Sequence, residues 1–85
     1  MATTDVCISF RAKHDEAVNF TNATGKNCEL RQVGTYWPFT DPPPFQVPVS
    51  GNKTKVKSKA DLPDGEHYYT PSCCTALVQK SVTVP

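Results

Sequence analysis

Four cysteines in a chain of 85 residues are the feature that most limits how this sequence can fold. A domain of this size buries only about 60 % of its unfolded surface, so it often needs disulfides, a metal or a partner chain. The four are Cys7, Cys28, Cys73 and Cys74. Pairing the neighbours Cys73 and Cys74 would close a small, strained ring. We therefore expect two disulfides, in which one of these neighbours bonds Cys7 and the other bonds Cys28.

The cysteine content also bears on the compartment. An even number of cysteines in a small chain rich in Thr and Pro is typical of exported proteins. The first six residues lack the charged and apolar regions of a signal peptide. The sequence thus fits either a cytosolic protein or the mature form of a secreted or periplasmic one, and we favour the second. No apolar run of about 18 residues occurs, so we expect no membrane span.

Short runs of alternating apolar and polar residues predict a β-structure. Turn signals separate these runs, and no segment shows a convincing helical pattern, although residues 74–80 allow a single helical turn. We expect one domain over residues 1–85, folded as a small antiparallel Greek-key β-sandwich of six to eight short strands. The predicted strands include residues 6–10, 17–21, 28–33, 45–49 and 53–59, one strand within residues 61–74, and the closing run 81–85.

A proline-rich segment with aromatic residues at its ends occupies the middle of the chain. Proline has no N–H to donate, so an extended conformation outside a regular sheet is expected here. The aromatic residues of this segment have two interpretations. They are buried and cap the core, as large aromatic residues in small domains usually do, or they form an exposed binding ridge. Burial is the favoured interpretation, and the ridge is the contact surface of the binding hypothesis below. The aromatic residues are Tyr36, Trp37, Phe39 and Phe45.

Four lysines alternate with other residues over positions 53–59, at Lys53, Lys55, Lys57 and Lys59. On a strand all four would share one face, which suits an exposed sheet edge where charge blocks unwanted pairing. The alternative is a stripe that binds acidic lipid, glycan or nucleic acid. Because the formal net charge of the whole chain is only +1, we favour the edge and expect no nucleic-acid partner.

The C-terminal third resembles the cupredoxin-like sandwiches. The resemblance rests on Leu62-Pro-Asp-Gly-Glu-His-Tyr-Tyr, followed by a loop and the closing run Ser81-Val-Thr-Val. A blue-copper site takes two His, one Cys and usually an axial Met. The closing loop, residues 71–80, has no His and no Met, and the two histidines are His14 and His67. The resemblance therefore implies a member without copper, and no metal or cofactor.

Residues 64–70 are also similar to the Asp-x-x-x-Tyr-Tyr-Cys strand of immunoglobulin domains, with Thr70 at the cysteine position. This similarity implies that Tyr68 is a corner tyrosine whose hydroxyl bonds to upstream backbone. Cys28 and Trp37 would then match the Cys and Trp of that family. Both resemblances imply a Greek-key β-sandwich.

No catalytic constellation is evident. Glu66 and His67 would face opposite sides of a strand, and Ser72 lies in no nucleophile-elbow sequence. We therefore expect a secreted, disulfide-stabilised binding module without enzymatic activity, for a protein or glycan partner. One alternative is a redox or soft-metal-binding protein that uses Cys73 and Cys74. Another is a structural subunit that self-assembles through its edge strands.

Overall fold

The computed structural model describes residues 1–75 and 79–85. All regular structure in these residues is β, which confirms the all-β part of the expected fold class. The strand count lies at the upper end of the expected range. The eight strands are β1 (Ala2–Asp5), β2 (Phe10–Arg11), β3 (Ala17–Thr21), β4 (Cys28–Gln32), β5 (Phe45–Val47), β6 (Asn52–Lys55), β7 (Gly65–Pro71) and β8 (Lys80–Val84).

The strands form two sheets. One has three strands in the order β1-β3-β6, and the other has five in the order β2-β8-β7-β4-β5. Two pairs, β1 with β3 and β2 with β8, are parallel, whereas the remaining pairs are antiparallel. The expectation of a wholly antiparallel sandwich was therefore wrong at these two pairs. Neither pair is joined by a hairpin, which is the connection that imposes an antiparallel arrangement.

Most of the predicted strand at residues 6–10 is instead a crossover from one sheet to the other, and only Phe10 lies in a strand, β2. Asp5 turns the chain, because its backbone carbonyl accepts the Ile8 N–H at 3.1 Å and its Oδ1 accepts the Cys7 N–H at 3.0 Å. Val6 is fully buried, whereas Ile8 is 57 % exposed. The alternation of apolar residues here did not indicate one strand face, because the segment belongs to two sheets.

The alternation predicts the buried face well where a strand stays in one sheet. On β3, Val18 and Phe20 are buried as expected. On β4, Leu30 is buried with the first residue of the strand, but Gln32 is exposed and its Nε2 donates to the Gly34 carbonyl at 3.1 Å. The inward face of β4 therefore ends one step earlier than the pattern predicts.

The lysine-rich run begins as an edge strand and then leaves the sheet. β6 pairs only with β3, with Lys53 and Lys55 exposed and Thr54 buried. Lys57 and Lys59 lie beyond β6, and Lys57 is half-buried. The four lysines therefore do not share one strand face.

The remaining expectations concern the chain around the last loop. Gly65–Pro71 and Lys80–Val84 are strands as predicted, paired from Gly65 opposite Val84 to Tyr69 opposite Lys80. The helical turn considered for residues 74–80 falls partly outside the described residues. No helix in the described part of the chain is long and apolar enough to cross a membrane.

Candidate binding groove

Two disulfides fix the loop that follows β7. Cys7 is bonded to Cys74, and Cys28 is bonded to Cys73. The expected attachment of the last loop to these two N-terminal cysteines is therefore present. Cys28 lies on β4, next to β7 in the five-stranded sheet, whereas Cys7 lies in the crossover between the sheets. The two bonds thus hold one loop to two separate parts of the sandwich.

A groove of about 740 Å³ lies beside these disulfides. Its volume falls within the range of about 300–1,000 Å³ that is usual for ligand sites. We call it the disulfide groove. It is lined by Asp5, Cys7, Ala23, Thr24, Lys26, Ser72, Cys73, Cys74 and Thr75.

One wall of the disulfide groove is a loop organised around Asn22. This side chain is only 7 % exposed, and its Nδ2 donates to the carbonyls of Lys26 and Val47, each at 2.8 Å. Its Oδ1 accepts the Thr24 N–H at 3.1 Å and the Thr24 hydroxyl at 2.6 Å. Gly25 has a φ of 82°, a conformation that glycine adopts without a steric cost. The wall is thus fixed without any ligand.

The opposite wall begins at Ser72, directly after β7. Its N–H donates to the Glu29 carbonyl at 2.9 Å, and its Oγ accepts the Glu29 N–H at 3.0 Å. These bonds continue the pairing of β4 with β7 beyond Leu30 and Pro71. The disulfides at Cys73 and Cys74 then hold the next two residues, so this wall is fixed as well.

The groove presents polar and apolar surface in similar amounts and carries both signs of charge, from Asp5 and Lys26. Asp5 uses Oδ1 for the Cys7 N–H, and no hydrogen bond engages its Oδ2 within the described residues. Burial, and to a smaller extent the charge of Asp5, raises the pKa of Tyr69. The described lining contains hydroxyl groups, a carboxylate and an ammonium group, but no histidine and no free thiol. These groups can form hydrogen bonds with a polar ligand.

Three sulfur atoms meet at the floor of this region. The Sγ atoms of Cys7, Cys73 and Cys74 all lie within 4.8 Å of one another. Each of them is part of a disulfide, however, and the metal ligand among cysteine species is the thiolate. In the oxidised protein these sulfurs are structural.

The aromatic contact surface predicted from the sequence is mostly core. Trp37 and Phe39 are buried, and the Trp37 Nε1 donates to the Asp41 carbonyl at 2.6 Å. Phe45 is half-buried, whereas Tyr36 is 51 % exposed. Trp37 and Phe39 cannot touch a partner directly, because they pack edge-to-face against each other beneath the surface. Of the four aromatic residues of the predicted ridge, only Tyr36 and the half-buried Phe45 are accessible to a partner.

The residues around His67 are placed differently from the immunoglobulin expectation. His67 is buried and its Nε2 lies 2.6 Å from the Pro63 carbonyl, on the opposite side of β7 from the exposed Glu66. Tyr68 is 40 % exposed and its hydroxyl donates to Glu66 Oε2 at 2.6 Å. The corner-tyrosine role for Tyr68 was therefore wrong. Tyr69 is the buried tyrosine of this strand.

The groove itself was missed by the sequence reasoning. A signal was nevertheless present, since Asn and Thr two residues apart commonly close a local turn through side-chain hydrogen bonds. Asn22 and Thr24 form such a turn here. Thr24 of this turn and Ser72 line the same groove although they are distant in the chain. No local sequence pattern predicts that they lie near each other.

Comparison with known proteins adds no relative. No family model matches the chain, and neither a curated protein nor a solved structure matches it.

Proposed function

We propose that this chain is a non-enzymatic binding module whose ligand lies in the disulfide groove. The observation that carries the proposal is that both walls are fixed by internal bonds: the Asn22 loop on one side, and Ser72 with the two disulfides on the other. A site that is already ordered loses little conformational entropy on binding. Fixed walls that carry hydroxyl and charged groups therefore suit the groove to recognition.

The ligand class follows from the lining. Thr75 supplies a hydroxyl group without a hydrogen bond in the described chain, and the Ser72 hydroxyl, which accepts the Glu29 N–H, is still able to donate. The Thr24 hydroxyl already bonds within its own loop, and Asp5 and Lys26 supply one charge of each sign. The described lining has no aromatic or large aliphatic side chain, which are the anchors that usually dominate protein–protein contacts. Of the two partner classes expected from the sequence, a glycan therefore fits better than a protein. We propose a saccharide whose hydroxyl groups exchange hydrogen bonds with these residues.

The proposed setting is secreted or periplasmic. Two disulfides in a small chain are typical of an oxidising compartment, because cytosolic thiols are kept reduced. The proposed type of sandwich is cupredoxin-like rather than immunoglobulin-like. The parallel pairs β1 with β3 and β2 with β8 support this choice, since the constant-type immunoglobulin sandwich consists of two antiparallel sheets.

The test is a titration of the labelled protein with chitin and cellulose oligosaccharides, followed through its backbone amide resonances. We expect shifts at Thr24, Ser72 and Thr75 and none at Tyr36. Thr75→Ala removes an exposed hydroxyl of the groove, and Thr35→Ala removes an exposed hydroxyl outside its lining. Weaker binding by the first variant alone supports the proposal. Shifts confined to Tyr36, or no shift with any sugar, would overturn it.

A second candidate function rests on the meeting of three sulfurs. If a dithiol or phosphine reductant supplies two electrons to each disulfide, which also takes up two protons, Cys7, Cys73 and Cys74 become thiols whose Sγ atoms lie within 4.8 Å of one another. That spacing is about twice a typical metal–sulfur distance of about 2.3 Å, so one ion between them can bind all three once they lose their protons. Such a site suits a soft ion such as Cu(I). The protein would then be expected to bind Cu(I) with reductant present while its β-structure persists, as circular dichroism would show. Unfolding on reduction before any metal is bound excludes this candidate.

A further inference from the structure

The four sheet edges are protected unequally. An exposed edge strand invites pairing with another chain, and natural proteins block it with lysines, prolines or a very short strand. β6 carries Lys53 and Lys55, and β5 is flanked by Pro44 and Pro48. β2 has only two residues, one of which is Arg11. β1 has four residues, Ala2–Asp5, with neither lysine nor proline. It is the one edge among the described strands that lacks all three devices.

The backbone groups on the open side of β1 can be identified. Val6 N–H donates to the Thr21 carbonyl on β3, and the Thr4 carbonyl accepts the Thr21 hydroxyl. Because N–H and C=O groups alternate in direction along a strand, Thr4 and Val6 face β3 and Thr3 faces away from it. β1 pairs with no strand other than β3 in the described chain. The N–H and the carbonyl of Thr3 are therefore both directed outward from the sheet.

We propose that a second copy of this chain pairs with β1, antiparallel, about a two-fold axis at Thr3. In an antiparallel ladder two directly opposed residues exchange both of their N–H···O bonds. An outward-facing Thr3 meets this requirement against its own copy, as an isologous dimer interface demands. The two three-stranded sheets then form one continuous sheet in the order β6-β3-β1-β1-β3-β6. The exposed Thr3 side chains become a cross-strand pair, which is a favourable one.

The distribution of charge favours a second copy at this edge. The exposed lysines of the three-stranded sheet lie on β6, the far edge from β1. In the continuous sheet the two β6 strands are about 24 Å apart at a strand spacing of about 4.8 Å. That separation is about three Debye lengths at physiological salt, so the lysines of the two copies do not repel each other appreciably. Neither the disulfide groove nor the groove beside Arg11 and Thr83 offers a pocket along β1 for the side chains of a foreign peptide, because only Asp5 of this strand lines one of them.

The test is sedimentation velocity of the full chain from micromolar to millimolar concentration. The wild type is expected to approach twice the monomer mass as concentration rises. Thr3→Pro removes only the outward N–H, which a proline tolerates on an edge strand, and it is expected to stay monomeric. Thr3→Val keeps the N–H and the β-branched shape, and it is expected to dimerise like the wild type.

A second measurement guards against a variant that fails to fold. Hydrogen exchange of the wild type is expected to slow at the Thr3 amide as concentration rises, while exchange at Val6, whose N–H is bonded within the monomer, stays constant. A wild type that remains monomeric throughout overturns the proposal, as does a folded Thr3→Pro variant that still dimerises. Binding of a synthetic extended peptide by a monomeric wild type would show that the edge serves a different chain, and it too overturns the proposal. The outcome is independent of the saccharide titration, because Thr3 does not line the disulfide groove.

Discussion

The imidazole Nε2 of His14 lies 2.8 Å from Oδ1 of Asp64 and joins two turns that are 50 residues apart in the chain. His14 follows β2, and Asp64 immediately precedes β7. The other ring nitrogen, Nδ1, lies 3.4 Å from the Lys57 carbonyl. The contact thus ties the turn between β2 and β3 to the corner that leads into β7, the longest of the described strands.

Because of this contact, the free energy of unfolding should depend on pH in the acidic range. The hydrogen bond from His14, assisted by the charge of Lys59, lowers the pKa of Asp64 from its ordinary value of 3.8. A carboxyl group whose folded-state pKa is depressed stabilises the fold above its unfolded pKa and loses that contribution as pH falls through the folded value. We expect the loss to set in near pH 3.8 and to continue below it.

The measurement is an NMR titration of the Asp64 carboxyl in the wild type and in His14→Phe. The variant removes the donor, so the midpoint of the titration should move up toward the ordinary value. Asp64→Asn should remove this part of the acid dependence of unfolding altogether. Equal midpoints in the wild type and in His14→Phe would contradict the assignment.

The disulfides should contribute comparably to stability. Their sequence separations are 67 residues for Cys7–Cys74 and 45 for Cys28–Cys73. In the chain-entropy model, loops of these lengths give roughly 4 kcal/mol each, with little difference between them. We expect each matched double variant, Cys7→Ala with Cys74→Ala or Cys28→Ala with Cys73→Ala, to lose about this much in urea unfolding.

A mismatched double variant is the control. Cys7→Ala with Cys73→Ala leaves Cys28 and Cys74 without their partners and should yield two reactive thiols in a maleimide assay under denaturing conditions. The matched variants should yield none. Reactive thiols in a matched variant would show that the pairing is different.

A feature of this fold could be predicted from the sequence when its physical cause lies in neighbouring residues of the chain. Val18 and Phe20 were recognisable because β3 lies in one sheet and its burial follows a period of two. The exposure of Ile8 was not, because it depends on the turn at Asp5 and on the passage between sheets. The disulfide groove could not be predicted from local patterns for the same reason: Thr24 and Ser72, which are distant in the chain, line one groove only in the completed fold.

Gly51 should tolerate alanine less well than Gly25. Both have a positive φ, of 89° and 82°, so each alanine bears a conformational cost of about 1–2 kcal/mol. A Cβ at Gly51 would also lie 2.7 Å from the backbone carbonyl oxygen of Phe20, whereas a Cβ at Gly25 meets no atom within 4 Å. Urea unfolding should therefore show a clearly larger loss for Gly51→Ala. Equal losses would mean that the turn at Gly51 relaxes away from β3.

The aromatic segment should behave as core rather than as surface. Phe39 is fully buried, with ring centroids 5.3 Å from Phe20 and 5.4 Å from Trp37. We expect Phe39→Ala to cost about 3–5 kcal/mol in the free energy of unfolding. The exposed Tyr36, changed to Ala, should cost less than about 1 kcal/mol. Trp37 fluorescence that is readily quenched by iodide in the native protein would contradict this placement.

The pairing of β2 with β8 has a consequence for how the protein is made. Phe10 lies beside Val82, and the Ala12 N–H donates to the Thr83 carbonyl. The five-stranded sheet is therefore completed by pairing an early strand, β2, with the last described strand, β8. While a ribosome is still synthesising residues 80–84, β2 and β7 both lack the strand that lies between them. The nascent chain therefore has no route to its finished sandwich until translation has passed β8.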